Sequence, residues 1–157
     1  MAARTTLPGS NGTDDTAGQP LHKAGIDRLP GGLAAYSIST TPVDVTALAT
    51  IDDVTFTALA SRSYLVVVSY QFKSTGASDG ITYEITDGSN AILRSTSVQL
   101  GSANVTYAAE FSFLDISVTG GSMTYRARAV GGGGGTVTAC PSNVQGYIAA
   151  YDVSPQF

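Results

Sequence analysis

The sequence predicts an all-β protein, an antiparallel β-sandwich of jelly-roll-like arrangement, with an extended N-terminal arm. Three observations carry that expectation. Apolar residues recur at every second position through most of residues 33–153, which is the period of half-buried strands and not of helices. The alternating runs are short, roughly eight or nine in number, and are separated by Gly, Asn, Asp and Pro, as in sandwich folds. The first 32 residues break the pattern. They hold Gly9, Gly12, Gly18, Gly25, Gly31 and Gly32 with Pro8, Pro20 and Pro30, and too few apolar residues for a core. The chain therefore divides into two units: an arm, 1–32, and a sandwich domain, 33–157.

In the arm, LHKAGIDRL (21–29) can form a helical turn or two before Pro30-Gly31-Gly32 stops it. The sandwich opens with LAAYSIS, 33–39. Next, Val54, Phe56 and Ala58 face one way and Thr55 and Thr57 the other. Val66, Val68, Tyr70 and Phe72 form one face of a long strand. Its other face begins apolar at Leu65 and Val67, then turns polar at Ser69, Gln71 and Lys73. Ile81, Tyr83 and Ile85 alternate with Thr82, Glu84 and Thr86, and AILRSTSVQ (91–99) continues across Asp87-Gly88. Val105, Tyr107, Ala109, Phe111 and Phe113 mark another strand, and Met123, Tyr125, Ala127 and Ala129 alternate with Thr124, Arg126 and Arg128 in the next. GTVTAC (135–140) and GYIAAYDV (146–153) complete the set.

Turn chemistry supports these boundaries. Asp87-Gly88 offers residues that tolerate positive φ in a hairpin, and Gly120-Gly121 does the same before SMTYRARA. The run Gly131–Gly135 invites a phosphate-loop reading, but such a loop needs a helix N-terminus after it, and the next residues, TVTAC, make a strand. A mobile hairpin tip, or close packing near a symmetry axis, fits the glycines better.

Composition excludes several functions. Only 13% of the residues are charged and the net charge is -4, so nucleic acid is not an expected partner. No apolar run reaches membrane-spanning length, and the N-terminus lacks the apolar core of a signal peptide. The protein is expected to be soluble and made in a cytoplasm. Cys140 is alone in the sequence and reads as a buried apolar residue in a strand. The one histidine, His22, lies in the arm, so no Cys–His pair is expected.

The carboxylates do not make a catalytic pair. Asp52 and Asp53 are adjacent, read as solvating a loop before a strand, and Asp79, Asp87 and Asp115 sit at strand ends. A calcium loop's dense oxygen spacing is missing, and neither a zinc set nor a nucleotide fingerprint is present. The chain is expected to be no enzyme and to need no cofactor or metal. Glu84, Glu110, Arg94, Arg126 and Arg128 project from strands and can pair across them.

More informative are strands that are apolar twice over. Leu65 and Val67 lie opposite a core face, and Ile148 with Ala150 lies opposite Tyr147, Ala149 and Tyr151. Such strands need a second cover, which marks Leu65, Val67 and Ile148 as candidate contacts between copies of the chain. Pairing of LAAYSIS with GYIAAYDV would bring the two ends of the body together. Tyr36, Tyr64, Tyr107, Tyr147 and Tyr151 are candidate stacking platforms for a glycan if exposed.

The succession LPGGLAAYSIS, DVTFTALASRSYLVVVSYQFKST, ITYEITDGSNAIL and SVTGGSMTYRARAVGGGGGTVTA resembles a recurring β-sandwich domain of tailed bacteriophage virion proteins. It is familiar among minor tail proteins of phages that infect actinobacteria. The likeness covers about residues 29 to 153 and rests on strand and turn signatures, with no catalytic residue among them. Relatives carry an aromatic residue after the Pro-Gly-Gly, where this chain has Leu33, and charged residues where it has Ala60-Ser61-Arg62-Ser63.

The resemblance implies a virion structural protein, a homotrimer docked through its arm to other tail or capsid proteins, with the sandwich displayed outside. Leu7, Leu21, Ile26 and Leu29 would be the arm's apolar anchors. Capsid decoration, or a head fibre, is the alternative position. A carbohydrate-binding adhesion module that meets a host surface glycan is the alternative function.

Overall fold

The computed structural model describes residues 32–116 and 118–153. Arm residues Leu7, Leu21, Ile26 and Leu29 lie outside them. The strands are β1 (Gly32–Ser39), β2 (Val43–Asp44), β3 (Ala49–Ala58), β4 (Tyr64–Ser74), β5 (Asp79–Asp87), β6 (Ile92–Leu100), β7 (Thr106–Asp115), β8 (Gly121–Gly131), β9 (Val137–Ala139) and β10 (Gly146–Asp152). A 3-10 turn, Pro141–Asn143, joins β9 to β10.

All pairings among the described strands are antiparallel and make two sheets. In the first, β4 pairs β10 through residues 64–69 and β9 through 72–74, so these two lie end to end along one edge. Its other edge carries β7 along residues 64–73. The first sheet therefore runs β1-β10-β4-β7, with β2 beside β9, and the second runs β3-β8-β5-β6.

The pairings nest: β5 with β6, β4 with β7, β3 with β8 and β1 with β10. A single long antiparallel ribbon folded over itself gives this order, which is that of a jelly roll. ITYEITDGSNAIL is the innermost hairpin of the nest. The predicted meeting of LAAYSIS with GYIAAYDV is its outermost pair, Gly32 facing Asp152.

The core lies between the sheets. Along β4, buried Tyr64, Val66, Val68, Tyr70 and Phe72 alternate with half-buried residues. They meet Ile81, Tyr83 and Ile85 of β5 and Tyr125, Ala127 and Ala129 of β8. Tyr83 is at the centre, with ring centroids 4.8 Å from Phe111, 5.2 Å from Phe72 and 6.1 Å from Tyr70, all edge-on. That geometry sets positive ring edges against negative ring faces.

Several expectations need correction. Ile148 and Ala150 are fully buried in the core, so Ile148 does not face outward as a contact between copies. Pairing sets this parity: Ile148 sits opposite Val68 and Ala150 opposite Val66, and residues facing each other across a ladder share one side of the sheet. Tyr64 is buried too and offers no platform to a ligand.

Asp52 lies inside β3, beside a bulge between Thr50 and Asp52. It accepts the Ser37 hydroxyl at 2.9 Å and the Tyr70 hydroxyl at 3.3 Å, linking the two sheets, while Asp53 is exposed.

The hairpin turn differs in its left-handed residue. Asn90, at φ 69°, takes that role, and Gly88 does not. The Asn90 N–H bonds the Asp87 carbonyl at 3.1 Å, a type I turn closed by a bulge. The Asp87 carboxylate accepts from the Ser89 hydroxyl and from the Ser89 and Ala91 N–H groups, at 2.7–2.8 Å. These bonds, led by the Ser89 hydroxyl, lower its pKa. Asp87 holds a turn.

The glycine run is not a loose tip. Gly132 N–H bonds the Gly80 carbonyl at 2.6 Å, and the backbone at Gly134 and Gly135 passes so close to Gly76 that a Cβ on Gly76 would overlap it. The loop does wrap an anion, but the chain supplies it. Buried Asp79 accepts the Ser74 hydroxyl at 2.8 Å and the N–H groups of Gly80 and Gly134 at 2.9 and 3.3 Å.

These bonds favour the charged carboxylate, Ser74 most strongly, and hold the Asp79 pKa below its ordinary value. A depressed folded pKa gives stability that is complete above the unfolded value of about 3.9 and is lost as pH falls through the folded one. Asp79→Ala is expected to cost about 2 kcal/mol at neutral pH by orphaning these donors. It should also flatten the loss of stability below about pH 4, as read by urea melts across that range.

Candidate functional site

The first sheet turns an unusual face to solvent. β-Strand alternation sends every second residue of β1, β10, β4 and β7 outward, and the register aligns them in three rows. The first row is Leu33, Tyr151, Leu65 and Leu114; the second is Tyr36, Ala149, Val67 and Ser112; the third is Ile38, Tyr147, Ser69 and Glu110. Polarity grows from row to row away from the paired ends of β1 and β10. Beyond the third row come Gln71 and Lys73 on β4.

Exposure is high where it is costly. Leu33, Ile38 and Leu114 are each 50% exposed and Tyr36 is 63% exposed. A bulge between Leu33 and Ala35 puts Leu33 opposite Tyr151. Strict alternation would have placed it with Ala35, on the other side from Tyr36 and Ile38. Leu33, Tyr36, Ile38, Tyr147, Ala149 and Tyr151 line a shallow hollow of about 290 Å³, with Gln145 and Gly146 at its rim. The Tyr147 hydroxyl lies 3.5 Å from a Glu110 carboxylate oxygen. Burial first, and Glu110 second, push that phenol's pKa up.

The apolar surface continues around the end of the sandwich. Ile116, Leu59 and Val153 are exposed there, brought together by Ser61 N–H to the Val118 carbonyl (2.8 Å) and Val153 N–H to the Ser63 carbonyl (3.0 Å). Beneath them the buried Arg62 guanidinium grips Asp152, Nε at 3.1 and 3.0 Å from the two carboxylate oxygens and Nη2 at 2.7 Å.

The second sheet's outer side is of opposite character. One of its rows is Thr50, Arg128, Glu84 and Ser95. The hydroxyls of Thr55 and Thr124 bond across the ladder at 2.8 Å, and Arg126 donates to the Gly88 carbonyl and the Asn90 side chain. This side is polar, and Glu84 is buried within it.

Of the residues singled out from sequence, Leu65 and Val67 fall within the apolar rows, half-buried by their neighbours. Tyr36, Tyr147 and Tyr151 share the face with them, and Tyr107 is half-buried on β7. Leu33, Ile38 and Leu114 were not singled out. Alternation with Phe111 and Phe113 puts Leu114 on the outer side of β7, and its pairing with Leu65 brings it into the first row.

Among the described residues no group of three or more His, Cys, Asp or Glu is placed to hold a metal. Cys140 is buried with its thiol 3.6 Å from the Ser39 carbonyl, and burial raises its pKa. Asp115 accepts the Tyr125 hydroxyl at 2.8 Å.

No protein-family model matches the sequence, and no curated protein does. Solved structures similar to it include latent PorU from Porphyromonas gingivalis, at 14% identity and TM-score 0.46, over 77% of this chain and 13% of that one. The infectious bursal disease virus VP2 subviral particle is similar at 8% identity and TM-score 0.39, over 78% and 37% of the two chains. A carbohydrate-binding module of Cellvibrio mixtus lichenase 5A, in complex with cellotriose, is similar at 13% identity and TM-score 0.37, over 82% and 93%. The chain thus spans only a small part of the PorU structure and about a third of the viral one.

Proposed function

We propose that this chain is a structural component of a tailed-phage virion, a homotrimeric minor tail protein that docks through residues 1–32 and displays its sandwich outside. The reading rests on the resemblance of the strand and turn signatures. The observation that supports it best is the apolar outer face of the first sheet, a surface suited to assembly and poorly suited to a lone chain in water. Function then comes from buried area and from many copies acting together. Asp52, Asp79, Asp87 and Asp115 are each engaged in bonds that hold the fold, which supports a non-catalytic role.

Deleting residues 1–30 is expected to leave a folded sandwich, with an unchanged β-type circular dichroism spectrum, that no longer enters particles. Continued incorporation would defeat the anchoring role of Leu7, Leu21, Ile26 and Leu29. Immunogold labelling of intact particles separates a tail position from capsid decoration.

A second reading, carbohydrate-binding adhesion, is favoured by the three tyrosines Tyr36, Tyr147 and Tyr151 around one hollow, since aromatic faces stack on sugar rings. A glycan array distinguishes the two. Saturable glycan binding that Tyr36→Ala abolishes supports adhesion, and its absence supports a purely structural role.

A further inference from the structure

We propose that the three outer rows of the first sheet, centred on Leu33, Tyr36, Ile38 and Tyr151, are the surface through which copies of this chain bind one another. This deepens the proposed function by naming the contact, and it rests on the self-association within that reading.

Size is the first consideration. With ordinary side-chain areas, the exposed parts of these rows together with Ile116 and Val153 amount to about 600 to 800 Å². The largest apolar patch of a typical monomer is roughly 300 to 600 Å², and each partner in a stable complex buries about 800 Å². The area fits a protein partner and exceeds what a small ligand needs.

Charge then selects the partner. Residues close to a symmetry axis meet their own copies, so an ionised group placed there would face a like charge. The twelve residues of the three rows include one ionisable acid, Glu110, at the β7 margin and beside the Tyr147 hydroxyl. A foreign partner imposes no such neutrality. The second sheet's outer side, with Arg126, Arg128 and Glu84, lacks it. Tyr36 stands out 63% exposed next to a hollow of about 290 Å³, so projection and recess lie on the same face.

Sedimentation velocity of the full chain at micromolar concentration tests this. The wild type should run as a discrete oligomer, and Tyr36→Lys with Ile38→Lys should run at the 16.0 kDa of one chain with an unchanged β-type circular dichroism spectrum, because both positions are exposed in the single chain. Thr55→Lys with Thr57→Lys, on the opposite sheet, should keep the wild-type mass. A monomeric wild type, or a Tyr36/Ile38 variant of wild-type mass, overturns the proposal.

Two other occupants would also overturn it. One is the chain's own arm, revealed if a monomeric wild type becomes associating once residues 1–31 are removed. The other is a glycan, revealed if oligosaccharide binds this face of a monomer. Particle incorporation is scored separately: a monomer that still enters virions defeats this contact and leaves the virion reading standing, and an oligomer that never enters them does the reverse.

Discussion

Replacing Tyr83 with alanine is expected to lower the unfolding free energy by about 4 kcal/mol, whereas Tyr83→Phe should stay within about 1 kcal/mol of wild type. Tyr83 of the second sheet is fully buried, with three aromatic rings of the first sheet, Tyr70, Phe72 and Phe111, edge-on around it. Truncation would remove those contacts and leave a cavity that β-sheet backbones on either side cannot collapse to fill. Its hydroxyl has no hydrogen-bond partner among the described residues, and burial drives the phenol's pKa well upward, so it remains protonated. Removing that oxygen relieves a desolvated dipole. Urea denaturation of the three proteins reads both effects. A phenylalanine variant as weak as the alanine one would show that the hydroxyl, and not the ring, holds the centre of the core.

Asp152→Ala is expected to cost about 3 to 5 kcal/mol, the usual penalty for removing one member of a buried ion pair. The Arg62 and Asp152 side chains are 7% and 8% exposed, and the guanidinium donates to both carboxylate oxygens. Without its anion, Arg62 keeps a charge that the surrounding protein solvates poorly. Arg62→Met combined with Asp152→Leu should recover most of the loss, because an apolar pair carries no desolvation penalty. A double-mutant cycle by chemical denaturation gives the coupling directly. A loss under about 1 kcal/mol in the single variant would mean that solvent reaches the site. The pair ties the β3–β4 connection to the end of β10, where Gly32 and Asp152 meet, and so it also supports the first apolar row.

Much of this architecture was legible from periodicity. β4 alternates buried and half-buried residues along its length, as Val66, Val68, Tyr70 and Phe72 predict. Chemistry at chain reversals was less legible. Asp87-Gly88 marked a turn correctly, yet Asn90 takes the left-handed position, because the carboxylate of Asp87 gathers three donors and shifts the tight corner onward. The five glycines promised looseness. Their order comes from Asp79 and Gly76, which are more than 50 residues away in sequence. Asp52-Asp53 read as a solvated loop for the same reason: Ser37 and Tyr70, its partners, belong to the other sheet.

The candidate surface divides along this line. Sequence by itself determined that strands here carry apolar residues on both sides, since alternation is local and shows in any window of a few residues. It could not decide which side of GYIAAYDV faces out, because Tyr147, Ala149 and Tyr151 are as apolar as Ile148 and Ala150. That choice belongs to the register against β4, where Val66 and Val68 draw Ala150 and Ile148 inward. A slip of one residue would reverse it. Likewise the bulge in β1, and the nesting that lays Leu33, Tyr151, Leu65 and Leu114 in one row, join residues from four distant parts of the chain. Periodicity is written in neighbours along the chain, and a surface is made from neighbours across it, which only the folded sheet supplies.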